Sequence, residues 1–191
     1  MKTIYLVPHT HYDVVWAFVR EDYLYINTSI LKKALEMIKS CGFKFLIEQT
    51  YPIEQIEKDD PPFFAELKDA IRAGKVEVVD AQYVMADPMT PAGEVLVRQF
   101  LVGHLYCQEK LGIEVPVGWA ADGFGLNAQL PQIYRKCGFR WLVFRRGLPR
   151  SIGYRVSEFL WEGLDGSKII AHWLPLGYRA GLDLDHWEQT V

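Results

Sequence analysis

The sequence has few cysteines, no long apolar run and no excess of positive charge. Its three cysteines, Cys41, Cys107 and Cys137, have no metal-binding or redox spacing, and their odd number favours buried thiols in a reducing cytoplasm. No apolar stretch approaches the ~18 residues of a membrane span, and the first residues turn polar too soon for a signal peptide. The net charge is −3, with acidic and basic residues well mixed. We therefore expect a cytoplasmic protein that binds neither membranes nor nucleic acid.

The composition is that of a folded chain. Half of the 191 residues are hydrophobic, which is enough for a core and excludes a disordered protein. No linker or internal repeat interrupts the sequence, so we expect one domain. Aromatic residues make up 14% of the chain, which fits either a flat ligand such as a carbohydrate or an aromatic core.

The chain alternates between two hydrophobic periodicities. Short apolar runs predict five strands, at 4–7, 43–47, 76–79, 115–120 and 141–144. Apolar stripes predict helices at 25–39, 61–73, 93–111 and 129–137, each followed closely by a glycine. The segments EFLWEG and KIIAHWLP then predict a hairpin around Asp165-Gly166. Strands that alternate with helices indicate βαβ units and a parallel sheet, and hence an α/β fold.

Polar side chains collect where the predicted strands end, which is where parallel α/β folds carry their chemistry. These residues are His9, His11 and Asp13 after the first strand, Glu48–Tyr51 after the second, Tyr83 and Asp87 after the third, Asp122 after the fourth, and Arg145 and Arg146 after the fifth. Five strand ends that converge in this way predict an active site.

The segment HTHYD is the strongest local signal. In an extended chain His9, His11 and Asp13 point to the same side, and two imidazoles with a carboxylate suit Zn²⁺. The alternative is that both histidines are hydrogen-bonded strand-end residues without a metal. Asp122 at a facing strand end favours the metal, because a buried carboxylate without a cation is costly.

Asp122 is the second signal. It opens the turn DGFG, in which Gly123 and Gly125 allow close approach of a ligand or a positive φ. The alternative is that Asp122 caps the helix that follows. Asn127 is better spaced for that cap, which leaves Asp122 available for chemistry.

The sequence resembles the N-terminal catalytic domain of glycoside hydrolase family 38, the retaining α-mannosidases. Four segments carry the resemblance in the family's order and span nearly the whole chain: PHTHYDVVW, PAGEVLVRQFLVG, WAADGFGLNAQLPQIYRKCGF and FLWEGLDGSKIIAHWLP. The resemblance implies an irregular seven-stranded parallel β/α barrel and a zinc-dependent enzyme that hydrolyses α-mannosidic bonds of an oligosaccharide or glycan.

The resemblance also implies roles for individual residues. His11, Asp13 and Asp122 would be ligands of one zinc ion, and Asp122 would also be the catalytic nucleophile. Trp16 would stack beneath the sugar, and Arg146 would be the cation near Asp122. Further candidate substrate contacts are Tyr12, Tyr51, Tyr83 and Asp87, and the three tyrosines are equally compatible with packing.

Two departures from the family are expected to matter. Gly123 stands where the family usually has proline, which the glycine-rich turn tolerates. The family's acid/base aspartate and fourth zinc ligand, a histidine, lie beyond Val191, since Asp165 is predicted to be a turn residue and His172 a wall of the site. We therefore expect residues 1–191 to be the N-terminal part of an incomplete barrel, inactive alone and prone to self-association through an open sheet edge.

Two other functions fit the same residues. A metal-dependent deacetylase or amidohydrolase would use H-x-H at the first strand and a metal-bound water, with Asp122 as a base. A non-catalytic sugar-binding module would rely on its aromatic residues and need no metal.

Overall fold

The structure is a computed structural model that describes residues 5–148 and 156–179. In chain order its elements are β1 (His9–Thr10), α1 (Arg20–Cys41), β2 (Phe45–Gln49), α2 (Tyr51–Asp59), α3 (Pro61–Arg72), β3 (Val76–Gln82), α4 (Gly93–Tyr106, continued by a π-helical turn over Cys107–Leu111), β4 (Val117–Ala120), α5 (Leu130–Lys136), β5 (Trp141–Phe144), β6 (Glu158–Glu162) and β7 (Lys168–Trp173). Helices thus alternate with strands, as the periodicity predicts.

The chain divides into two compact units, a division that no linker in the sequence marks. The first unit comprises Met1–Met85 and Arg98–Val115, and the second comprises Ala86–Val97 and Pro116–Val191. Seven strands lie within the described ranges, in one sheet of three strands and another of four. The α/β class is therefore confirmed, and the seven-stranded barrel stays a prediction.

The first unit is a parallel sheet in the order β1-β2-β3 with helices packed against it. All five residues of β2 are buried, as expected for a central parallel strand covered on both faces. Leu31 of α1, Ile53 of α2 and Leu67 of α3 are among the most deeply buried side chains. No helix was predicted for the segment that forms α2, because its second half is largely polar and leaves only a short buried stripe around Ile53 and Ile56.

The first strand differs from the prediction of 4–7. Tyr5, Leu6 and Val7 are exposed and outside any strand, while Ile4 lies outside the described residues. Pairing begins where the Pro8 carbonyl accepts a hydrogen bond from Leu46 N–H at 3.0 Å. Tyr5, Leu6 and Val7 precede the position opposite the start of β2, so no strand in the described part of the chain pairs with them, which explains the shift.

A strained bulge interrupts β3. Asp80 and Ala81 have positive φ angles of 61° and 48°, which non-glycine residues rarely adopt, and both are fully buried. Gly103 makes this possible, because a Cβ there would lie 1.7 Å from the Ala81 carbonyl oxygen. The bulge shifts the pairing of β2 with β3, so that Gln49 faces Gln82.

The second unit is a four-stranded sheet in the order β4-β5-β7-β6. The first three strands are parallel, and β6 pairs with β7 in an antiparallel hairpin. The predicted hairpin is confirmed: Gly166 has a φ of 80°, and the Asp165 carboxylate accepts hydrogen bonds from Ser167. Asp165 is thus a turn residue.

The cysteines fit the prediction of buried thiols only in part. Cys107 is buried, and burial raises the pKa of its thiol to about 12. Cys137 is half-buried, whereas Cys41 is exposed, so the prediction is wrong for Cys41. That residue occupies the last turn of α1, which extends two residues beyond the predicted end before Gly42 terminates it.

Within the described ranges, no helix combines the length and the apolar character needed to cross a membrane.

Candidate active site

A buried carboxylate joins the two histidines of HTHYD. Glu48 Oε1 lies 2.8 Å from His9 Nδ1, and Glu48 Oε2 lies 2.8 Å from His11 Nδ1. The Glu48 side chain is only 1% exposed. The alternative that the histidines are hydrogen-bonded strand-end residues is therefore correct as far as their Nδ1 atoms are concerned.

The charge of Glu48 depends on two opposing effects. Burial raises the pKa of its carboxyl, but the hydrogen bonds from His11 and His9 outweigh burial, so that the pKa is lowered overall. The two histidines therefore favour the ionised form of Glu48 inside the first unit. The sequence placed it in a loop, whereas it is the fourth residue of β2.

His11 and Asp13 form the part of this cluster that fits a metal ion. His11 Nε2 lies 3.6 Å from Asp13 Oδ1, and the Asp13 side chain is 37% exposed. Two ligands of one tetrahedral zinc, each bound at about 2.0–2.2 Å, lie about 3.4 Å apart. Metal-bound histidines also characteristically donate their other N–H to a carboxylate, as His11 can to Glu48. Across the described residues, no group of three or more His, Cys, Asp or Glu side chains is arranged to hold a metal. The geometry therefore matches two zinc ligands, His11 and Asp13.

The aromatic residues of the first loop differ in exposure. Trp16 is 80% exposed, whereas Tyr12 is only 5% exposed. The Tyr12 ring contacts Tyr51 and Tyr23, with centroids 6.3 and 6.5 Å away, and burial raises the pKa of its hydroxyl. Of the two roles left open for Tyr12, its burial matches packing, while Trp16 is accessible to a ligand.

Tyr51 and Tyr83 belong to the same aromatic group. Tyr51 is buried, and its ring centroid lies 5.6 Å from that of Tyr83. The Tyr83 hydroxyl donates to Glu54 Oε2 at 2.7 Å, and burial together with this bond raises the Tyr83 pKa to about 12. These contacts favour packing for Tyr51 and leave Tyr83 half-buried.

Gln49 connects two loops of the first unit, a role that the sequence did not indicate. Its Nε2 donates to the Tyr12 carbonyl at 2.7 Å, and its Oε1 accepts from Met85 N–H at 2.7 Å. The side chain is fully buried. Because Tyr12 lies between His11 and Asp13, Gln49 holds the backbone that carries both candidate ligands.

In the second unit, Asp122 lies next to two arginines. Arg146 Nη2 donates to Asp122 Oδ1 at 2.7 Å, and Arg145 Nη1 lies 3.6 Å from the same oxygen. The Arg146 guanidinium also lies 4.1 Å above the centre of the Phe124 ring. Trp173 Nε1 donates to the Arg145 carbonyl at 2.7 Å, which anchors the backbone of the arginine pair to β7.

The backbone of the turn after Asp122 lies too close to neighbouring atoms for a side chain at Gly123. A Cβ at Gly123 would lie 2.9 Å from Pro88 Cδ, and Gly125 has a φ of 127°. Asn127 accepts a hydrogen bond from Gln129 N–H at 3.0 Å. This bond closes a turn before α5, whose N-cap position is Gln129 and has no side-chain cap, so the prediction of a cap at Asn127 is wrong.

Asp87 has a local partner. Its carboxylate lies 3.4 Å from both Met89 N and Thr90 Oγ1, and its carbonyl accepts from Thr90 N–H. These contacts are those of a polar turn. Thus His11, Asp13, Tyr12 and Trp16 belong to the first unit, whereas Asp87, Asp122 and Arg146 belong to the second.

Comparison with known proteins agrees with these features. The family model described as the glycosyl hydrolases family 38 N-terminal domain matches residues 1–188. The chain belongs to glycosyl hydrolase family 38. The resemblance that the four sequence segments indicate is thereby confirmed.

Individual members of family 38 are similar over most of the chain. Alpha-mannosidase 2C1 of Mus musculus is 31% identical over 91% of the chain, which covers 17% of that relative. A putative mannosylglycerate hydrolase of Halalkalibacterium halodurans is 28% identical over 96% of the chain, which covers 22% of it. An alpha-mannosidase structure from Enterococcus faecalis V583 has a TM-score of 0.84 at 28% identity, over 92% of this chain and 20% of that one. The chain thus spans about a fifth of the length of these family 38 relatives.

Proposed function

We propose that the chain contributes to a retaining α-mannosidase that works with one bound zinc ion, and that its two sheets belong to an irregular β/α barrel. The observation that carries this proposal is Asp122, held 2.7 Å from Arg146 in a glycine-flanked turn of a family 38 chain. Relatives named alpha-mannosidase support the substrate class.

Asp122 is the nucleophile of the proposed reaction. Its carboxylate attacks the anomeric carbon and forms a glycosyl ester, while the bond to the leaving oxygen breaks and that oxygen takes a proton from an acid. Water then hydrolyses the ester, so the configuration at the anomeric carbon is retained. Arg146 orients the attacking carboxylate by holding its Oδ1, a charge-assisted hydrogen bond of the stronger kind.

His11, Asp13 and Asp122 are the proposed zinc ligands. Three protein ligands with an open position are typical of catalytic zinc. When bound, zinc supplies a Lewis-acid centre that holds and polarises substrate oxygens. The support within the chain is the His11–Asp13 pair, with His11 Nδ1 held by Glu48 and Nε2 directed to Asp13.

Substrate contacts are proposed for two kinds of residue. Trp16, exposed and close in sequence to the ligands, offers a face for stacking of a sugar ring. Asp87 and Arg146 are candidates for hydrogen bonds to sugar hydroxyls, and Arg146 already contacts the nucleophile. A mannosylglycerate hydrolase among the relatives makes mannosylglycerate a second substrate to test beside α-mannosides.

The test is covalent labelling with a fluoromannoside whose leaving group is fluoride. Fluoride departs without a proton, so the label forms even where the acid is missing, and the fluorine on the sugar slows hydrolysis of the ester. We expect one sugar adduct on Asp122 by intact mass and peptide mapping, and none in Asp122→Asn. Arg135→Lys, away from the proposed nucleophile, is the matched control and should label normally.

Three results would contradict the proposal. An adduct on another residue would remove Asp122 as the nucleophile. Hydrolysis of an acetylated sugar without any adduct would favour the deacetylase alternative, in which a metal-bound water attacks. Binding of mannose that survives a chelator, without labelling, would favour the non-catalytic sugar-binding module.

A further inference from the structure

Glu48 makes an unusual pair of contacts for a buried carboxylate. Its two oxygens each lie 2.8 Å from the Nδ1 atom of a different histidine, His9 and His11. The three side chains are 1%, 9% and 14% exposed, respectively. Water therefore competes little for these hydrogen bonds, and the geometry of both rings depends on Glu48.

The chemistry of a carboxylate decides which ring atoms carry hydrogen. An ionised carboxylate only accepts hydrogen bonds, so each neighbouring Nδ1 has to donate. A neutral imidazole protonated at Nδ1 keeps its lone pair at Nε2. In His11 that Nε2 atom is the one directed toward Asp13, at 3.6 Å from Oδ1.

We propose that Glu48 is a positioning residue: it fixes the ring orientation and the Nδ1–H tautomer of His11, so that Nε2 and the Asp13 carboxylate together receive a divalent cation. This inference rests on the metal site of the proposed function. It adds to that site a residue from β2 that touches neither the cation nor the substrate. Partners of this kind raise ligand basicity and fix the tautomer at known metal centres.

The alternative is that Glu48 only links the first strand region to β2 by hydrogen bonds and has no effect on metal binding. Such a link would contribute stability and would use the same Nδ1–H tautomer of His11, but its loss would leave zinc affinity unchanged in a chain that still folds. The chain contains a matched pair that separates the two roles: His172 Nδ1 lies 2.8 Å from Glu158 Oε1 on the exposed surface of the β6–β7 hairpin. Glu158→Gln changes the same chemistry without touching the proposed ligands.

The experiment compares the native 191-residue chain with Glu48→Gln and Glu158→Gln. Glutamine has one acceptor oxygen and one donor nitrogen, so it cannot accept from both rings. Long-range ¹⁵N–¹H NMR of the metal-free protein reports the tautomer of each of the five histidines. Competition with a chromophoric chelator measures zinc affinity.

We expect His11 of the native chain to be a single Nδ1–H species. In Glu48→Gln this species should be lost or mixed, and zinc affinity should fall about 10- to 100-fold. In Glu158→Gln the tautomer of His11 and the zinc affinity should both stay native. Glu48→Leu, which removes both acceptors, should match or exceed the effect of Glu48→Gln.

The opposite results would overturn the inference. An Nε2–H tautomer of His11 in the native chain would do so even where a Glu48 variant fails to fold. Native zinc affinity in a folded Glu48→Gln chain would show that Glu48 is only a structural link between the two strands. Failure of the native chain to bind zinc would instead contradict the proposed metal site, and the loss of the Nδ1–H species of His11 in Glu48→Gln would still show that Glu48 fixes this tautomer.

Discussion

The two units hold their candidate functional carboxylates in opposite ways. In the first unit, Glu48 is almost fully buried and accepts hydrogen bonds from two histidines. In the second unit, Asp122 is 20% exposed and lies beside Arg146 and Arg145, which are 36% and 39% exposed. A buried carboxylate hydrogen-bonded to two imidazole rings orients ligands, whereas a carboxylate beside two cations near solvent remains accessible to react.

This difference separates positioning from reactivity. Both arginines approach the same oxygen of Asp122, Oδ1. Glu48 uses both of its oxygens for histidines. Asp122 is therefore assigned to the reaction, and Glu48 is assigned to holding the ring of His11. Each assignment can be tested by a separate substitution.

The largest effect is expected from Gln49→Leu in the first unit, because it removes the side chain that holds the backbone of the proposed ligands His11 and Asp13. The substitution leaves the Tyr12 carbonyl and the Met85 N–H without their buried partner, at about 1–3 kcal/mol for each unsatisfied group. We expect the free energy of unfolding in urea to fall by about 2–4 kcal/mol. Gln108→Leu, on an exposed position, is the control and should change it by less than about 0.5 kcal/mol.

A weakening of zinc binding in Gln49→Leu would further sharpen the comparison, because Tyr12 lies between the proposed ligands His11 and Asp13. An unchanged free energy of unfolding in Gln49→Leu would show that the two hydrogen bonds of Gln49 make no net contribution to stability.

A smaller effect is expected from Arg146→Ala in the second unit. Loss of the 2.7 Å contact removes the group that holds Asp122 Oδ1. A hydrogen bond to a charged group is worth about 1.5–3 kcal/mol, and partial exposure of Arg146 reduces this value. We expect the rate of fluoromannoside labelling to fall about tenfold.

Arg145→Ala provides the internal comparison for that rate. Its guanidinium is 3.6 Å from the same oxygen, beyond ordinary hydrogen-bond length, so the rate should fall less than about threefold. A larger loss in Arg145→Ala than in Arg146→Ala would reverse the roles assigned to the two arginines.

The parts of the fold that local chemistry determines were predictable. Asp165-Gly166 indicated the hairpin turn, and Gly42 indicated the end of α1, because a positive φ favours glycine. Strand β5 has the predicted bounds of 141–144. The order of helices and strands, and hence the α/β class, followed from these signals.

The parts that depend on distant contacts were not predictable. Glu48 and Gln49 follow an apolar run and look like a loop, because only the partners from other elements make polar residues stable in a buried strand. The bulge at Asp80 and Ala81 depends on Gly103, which is far away in the sequence. The candidates Asp122 and Arg146 were found because motif and family resemblance pointed to them, whereas Glu48 and Gln49 had no such signal.

The measurement that tests the central claim most directly is zinc bound per chain in the native protein, in Asp122→Asn and in Glu158→Gln, each purified without chelator and titrated with zinc. The account predicts about one zinc per native chain and per Glu158→Gln chain, with a sharp loss of affinity in Asp122→Asn because a ligand is gone. Equal zinc affinity in the native chain and Asp122→Asn would contradict the claim that Asp122 is both ligand and nucleophile.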